Sequence, residues 1–185
     1  MLLTGGNSRR MGRDKAFLPV EWEGTFAPLW ARQLAILKSL APEKLLISGP
    51  RKPGFPESVR VLPDEWKNAG PLGGIATCLS QIQSALLLVL AIDLPQIQPE
   101  FLKKLLARSE ADCGVVPISH NRFEPLVAIY PRVALGVAID QIKDHDYVLR
   151  HFVEKLLRRR LLIGYEVGIR EQDQLLNWNK PEDLR

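Results

Sequence analysis

Apolar runs of strand length alternate along this chain with longer segments of helical period, and that alternation constrains the fold more than any other feature. Strands separated by helix-length connections run parallel, because each crossover carries the chain back to the edge from which the previous strand began. Strands are expected at residues 1–4, 44–48, 85–92, 114–118, 126–130 and 161–167. The spacing of Leu29, Gln33, Ile36 and Leu37 predicts a helix over 28–40, and that of Phe101, Leu102, Leu105 and Leu106 predicts another over 100–109. A third amphipathic segment starts near Tyr147 and ends in Arg158-Arg159-Arg160, where cations face the negative end of a helix dipole. A solvated helix terminus explains that cluster better than a binding patch. Together these segments imply an α/β fold with a mostly parallel central sheet. Only three residues precede Thr4, against the usual ~5–6 of a sheet strand, which suggests a start further upstream and a frayed first strand.

A length of 185 residues suits a single domain spanning 1–185, and Gly49-Pro50, residues 53–56 and residues 68–74 supply turn chemistry without forming a linker. Apolar residues at 46% and charged residues at 25% are enough to fill one core and to solvate its surface. The longest apolar run, 85–92, is far shorter than the ~20 residues of a membrane span. The N-terminus lacks the zones of a signal peptide, so the expectation is a cytoplasmic protein. Cys78 and Cys113 are widely separated and read as core residues, and His120, His145 and His151 form no ligand cluster. A net charge of +4 is too modest to indicate nucleic acid.

The chemistry-bearing residues are concentrated in Leu3-Thr4-Gly5-Gly6-Asn7-Ser8-Arg9-Arg10-Met11-Gly12-Arg13-Asp14-Lys15, a glycine-rich bend directly after a strand. Glycines permit close backbone approach, so successive N–H groups can converge on an anion while Arg10 and Lys15 offset the charge of a triphosphate. An ordinary turn with exposed charges would look similar. Position favours the phosphate site, since ligands of open parallel sheets bind outside the carboxyl ends of the strands. Neither the P-loop nor the G-x-G-x-x-G fingerprint is present, which weighs against kinase, GTPase and dehydrogenase chemistry. Asp93 follows the apolar run 85–92, so its carboxylate should emerge at the same edge, where Mg²⁺ takes one or two carboxylates together with substrate phosphates. The stretch Gly70-Pro71-Leu72-Gly73-Gly74 reads as a loop able to lie against a flat ligand before a helix that begins near Ile75, or as a plain tight turn. Asn177 and Asn179 alternate along an extended segment and so share a side.

The bend closely resembles the signature of the molybdenum cofactor nucleotidyltransferases, in which Leu-x-Gly-Gly is followed by x-Ser-x-Arg-Met-Gly-x-Asp-Lys. The resemblance continues in order through Asp64, residues 70–74, Asp93-Leu94-Pro95, Glu124-Pro125-Leu126 with Ala128 and Tyr130, and Asn177-Trp178-Asn179. It implies a three-layer Rossmann-like nucleotidyltransferase fold with helices on both faces, whose N-terminal half binds nucleotide and whose C-terminal half binds molybdopterin. The implied activity is transfer of GMP from GTP to molybdopterin. The resemblance places Leu3, Thr4, Gly5, Gly6, Lys15, Ser48, Asp64, Gly70, Gly74 and Asp93 at the nucleotide, with Asp93 holding Mg²⁺. Arg10, Lys15 and Asp93 are the implied catalytic set, and Asn177 and Asn179 lie on the pterin side. GTP and molybdopterin are the implied substrates, with molybdenum-insertion proteins and molybdoenzymes as the partner class, and neither nucleic acid nor a membrane.

At one position the chain departs from that pattern: Ser48 stands where the family commonly has an Asn that touches the nucleotide. A molybdopterin cytidylyltransferase is the nearest rival, though Gly5-Gly6 and the form of 70–74 favour guanine. A sugar-phosphate nucleotidyltransferase is more remote. A non-catalytic nucleotide sensor of the same fold is opposed by the presence of Arg10, Lys15 and Asp93.

Overall fold

The computed structural model describes residues 1–5, 14–22 and 24–178. In chain order, the first strands are β1 (Leu2–Leu3), β2 (Pro19–Trp22), β3 (Thr25–Pro28), β4 (Leu46–Ser48) and β5 (Arg60–Leu62). They are followed by β6 (Leu86–Leu88), β7 (Leu90–Ala91), β8 (Gly114–Ser119), β9 (Arg122–Phe123), β10 (Ile129–Pro131) and β11 (Leu162–Glu166). The α-helices are α1 (Leu29–Ser39), α2 (Gly70–Gln81), α3 (Pro99–Leu106), α4 (Ala134–Lys143) and α5 (Leu149–Arg158).

Strands β5, β4, β1 and β7 form a parallel ladder in that order, and β11, β8, β10 and β6 form a second, mixed ladder. The run that holds β6 and β7 belongs to both: Leu90 N donates to the Met1 carbonyl, whereas Val89 N and Ala91 N donate to Ala128 and Leu126. Alternation along the strands feeds two cores. Leu2, Ile47, Leu90 and Val115 pack on one face with α1 and α3, while Leu3, Leu46, Val89 and Val116 pack on the other with α2, α4 and α5. This is the expected three-layer α/β arrangement. No helix among the described residues is long and apolar enough to cross a membrane.

Four local expectations are corrected. The run 85–92 is two strand segments, β6 in register with β10 and β7 in register with β1, with Val89 between them. The strand of the 126–130 region is Ile129–Pro131, and it runs antiparallel to both neighbours. The cause is the β8–β9 hairpin, where His120 (φ 49°) and Asn121 (φ 59°) reverse the chain without a helix. Residues 70–74 are the first turn of α2, with Pro71 in the position that tolerates a missing N–H. Strands β2, β3, β5 and β9 and helix α4 fall outside the expected elements.

Candidate active site

The parallel ladder sets Leu62, Ser48, Leu3 and Ala91 in one row, since Leu3 is the register partner of both Ser48 and Ala91, and Ser48 of Leu62. Residues just past that row therefore share one edge, and among them are Thr4, Gly5, Gly49, Asp64 and Asp93. Between β1 and β7 the strand order turns from one direction to the other, which is where open α/β sheets bind ligands. A cavity of about 140 Å³ opens at that point and is lined by Leu3, Thr4 and Gly5, by Asp14 and Lys15, and by Ile92 and Asp93, with Pro71 and Leu126 as further walls. A larger cavity of about 220 Å³ lies at the opposite ends of the strands, among Met1, Leu37, Leu45, Ile82 and Leu86, and its walls are mainly aliphatic.

Lys15 and Asp93 face each other across the smaller cavity, with Nζ and Oδ2 at 3.5 Å. Lys15 opens a short 3₁₀ turn that Asp14 caps, its Oδ1 accepting from Ala16 N at 3.0 Å. Asp93 sits in a loop that several elements hold. Its carbonyl accepts from Trp178 N at 3.0 Å. From α1, buried Gln33 donates to the Leu94 carbonyl at 2.7 Å and buried Arg32 to the Ile97 carbonyl at 2.9 Å. Burial pulls the Arg32 guanidinium below its usual pKa, and its charge is partly met by the Trp22 ring 4.8 Å away.

On the other side of the strand-end row, Ser48 is fully buried, and its hydroxyl donates to Asp64 Oδ1 at 3.2 Å while the Asp64 residue is exposed. Gly74 explains how α2 approaches so closely, because a Cβ there would stand 2.5 Å from Ser48 Oγ and 2.9 Å from Leu3 Cδ1. Gly70, with φ of 57°, makes the entry to that helix. On the third side, buried Tyr130 donates its hydroxyl to the Pro125 carbonyl at 2.7 Å and so fixes the segment that carries Leu126. Glu124, next in that segment, is half-buried, and desolvation raises its carboxyl pKa while Arg122 lowers it.

Of the expected site residues, Leu3, Thr4, Gly5, Lys15 and Asp93 line one cavity. Ser48 and Gly74 form its packed support, Asp64 and Gly70 stand beside it, and Asn177 is exposed next to the Trp178 tie to Asp93. Gly6, Arg10 and Asn179 lie outside the described residues. Sequence reasoning missed Arg32 and Lys52. Arg32 sits at a position that reads as the polar face of a helix, and Lys52 lies in a Gly-Pro turn that reads only as a break.

Residues 1–160 match the family described as MobA-like NTP transferase domain. The chain belongs to that family. Within it, a probable molybdenum cofactor guanylyltransferase of Opitutus terrae is 35% identical, over 98% of this chain and 90% of the relative. One of Bacillus licheniformis is 28% identical over 100% and 93%. Among solved structures, molybdopterin-guanine dinucleotide biosynthesis protein A from Archaeoglobus fulgidus superposes with a TM-score of 0.72 at 24% identity, covering 99% of this chain and 93% of that one. A 2-C-methyl-D-erythritol 4-phosphate cytidylyltransferase from Thermus thermophilus gives 0.68 at 15% identity, covering 99% and 93%. The MobA-like fold is thus shared with nucleotidyltransferases of quite different sequence.

Proposed function

We propose that this MobA-like protein transfers GMP from GTP to the terminal phosphate of molybdopterin, releasing pyrophosphate and forming the guanine dinucleotide form of the cofactor. The observation that carries the proposal is the meeting of Lys15 and Asp93 on one cavity at the switch point of the sheet. Full-length similarity to guanylyltransferases supports the choice of substrates.

A terminal phosphate oxygen of the acceptor attacks the α-phosphorus of GTP and forms a new P–O bond. The bond from that phosphorus to the α,β-bridging oxygen breaks, and its electron pair leaves with pyrophosphate. The attacking phosphate is already anionic near neutral pH, so neither a protein nucleophile nor a base is needed, and the protein supplies position and charge. Lys15, with Arg10, offsets the charge on the triphosphate. The Asp93 carboxylate at the cavity, completed by substrate phosphates and water, is a donor set that would suit Mg²⁺. When bound, the ion contributes positive charge beside the phosphate oxygens. Asp64, oriented by Ser48, accepts from the N1–H and 2-amino group of guanine, two adjacent donors, whereas cytosine presents only its single 4-amino group beside ring acceptors.

In this reading the N-terminal half holds the nucleotide and the C-terminal half the pterin, with Asn177 and Asn179 on the pterin side. Molybdenum-insertion proteins and molybdoenzymes are the partner class, and the cytoplasm is the compartment. Incubation of the protein with molybdopterin, Mg²⁺ and each nucleoside triphosphate in turn tests the proposal. GTP alone is expected to be joined to the pterin, and exclusive use of CTP would reassign the activity to cytidylyl transfer.

A further inference from the structure

Lys52 is four residues beyond the end of β4 and only 13% exposed at its side chain. Its ammonium has three donors, and three acceptors surround it: the Thr4 carbonyl at 3.2 Å and Asp14 Oδ1 and Oδ2 at 3.0 and 2.8 Å. Thr4 follows β1, and Asp14 immediately precedes Lys15, so one side chain from a separate turn joins two chain positions that both line the cavity. The approach depends on Gly49, whose φ of 124° turns the chain, and where a Cβ would stand 3.0 Å from both Gly5 N and Thr4 Oγ1.

Asp14 is the link between Lys52 and the reaction centre. Its Oδ1 accepts from Lys52 and also caps Ala16 N, the 3₁₀ turn that begins at Lys15. Lys52 thereby holds Asp14 in the geometry that starts the turn, and it balances the Asp14 charge beside the lysine that faces Asp93. Without it, an unbalanced carboxylate adjoins Lys15 and competes with the polyphosphate for that cation.

We infer that Lys52 is a positioning residue for nucleotide binding, acting through Asp14 to set the direction and the available charge of Lys15. This rests on the nucleotidyltransferase reading above but not on the identity of the acceptor.

A double-mutant cycle on equilibrium affinity for GTP with Mg²⁺, measured without acceptor, tests it. Lys52→Met is expected to weaken GTP about tenfold in the wild-type background and less than twofold in a Lys15→Ala background, with Lys52→Arg recovering most of the loss. Equal loss in both backgrounds would show that Lys52 serves the fold at large and would overturn the inference, as would wild-type affinity in Lys52→Met. If Lys52→Met does not fold, Lys52→Gln takes its place, because its amide keeps hydrogen-bond donors at that position while the charge that balances Asp14 is gone. The same coupling to Lys15 is expected from it, and additivity would again count against the inference. Because the measurement uses GTP alone, a wild-type protein that binds GTP but joins it to no pterin refutes the proposed transfer while still deciding the role of Lys52.

Discussion

The two halves of the sheet are built from the same kind of apolar strand yet meet solvent differently at the edge where the cavity opens. In the parallel half, four strands end in register, and α2 is pressed against their ends through Gly74 until no side chain fits between. In the other half a hairpin reverses the chain, β10 runs antiparallel, and α4 packs through Ala134, Val137, Ala138 and Ile142 with its own Gly136 in open space. The contrast shows where the backbone itself is part of the site. At the parallel edge glycines are there for close approach, and polar groups converge because strand ends do. At the antiparallel edge one buried tyrosine hydroxyl fixes the wall and the helix is ordinary packing.

If that division is right, the largest effects come from charge at the parallel edge. Lys15→Ala should lower kcat/KM for GMP transfer by roughly 10²–10³, the scale on which removing one preorganised electrostatic contact acts. Its melting temperature should stay close to wild type, because the Lys15–Asp93 contact is long at 3.5 Å and partly solvated. Turnover near the wild-type rate would remove Lys15 from the mechanism.

Next in size is Gly74→Ala. The added methyl meets Ser48 Oγ and Leu3 Cδ1 inside contact distance, so either α2 lifts or the Ser48 hydroxyl gives up Asp64. Overpacking of this kind costs about 1–3 kcal/mol of stability, and on the proposed function it should weaken GTP as well, since the displaced atoms support the side assigned there to the nucleotide. Chemical denaturation and GTP titration read the two effects separately, and an unchanged GTP affinity would detach α2 from the site. Tyr130→Phe probes the other wall. Loss of the bond to the Pro125 carbonyl should cost about 0.5–1.5 kcal/mol and should raise the KM for the acceptor more than that for GTP. Equal shifts in the two would blur the boundary between the halves.

Much of this was legible in the sequence because strand ends obey a general rule. An apolar run that ends in Asp93 and a glycine-rich bend after the first strand both point to the carboxyl edge, and there Lys15 and Asp93 meet. Other features were readable but masked by local chemistry. Ala134, Val137, Ala138, Gln141 and Ile142 carry a helical stripe, and seven residues between 118 and 126 are too few for a crossover helix, so an antiparallel partner was implied. Pro19 and Pro28 hid the β2–β3 hairpin, since proline reads as a break when it stands at the ends of a two-stranded ribbon. The glycines at 73 and 74 read as loop because their use is a tertiary contact, invisible until α2 lies on β1 and β4. Lys52 gave no local signal at all, as its three partners come from residues 4 and 14.

The smallest predicted effect is the sharpest check on the comparison, because it uses the same substitution as Gly74→Ala with the opposite sign. Gly136 is exposed in α4, and a Cβ built there has no atom within 4 Å. A helical glycine loses more backbone freedom on folding than alanine does, so Gly136→Ala should stabilise the protein by ~0.5–1 kcal/mol. In a domain of this size that is a rise in melting temperature of roughly 1–4 °C. GTP affinity should not move, since no part of α4 lines the cavity. A fall in melting temperature, or a change in GTP binding, would mean that α4 is as tightly committed to the site as α2, and the distinction between an edge made of backbone and an edge made of side chains would fail.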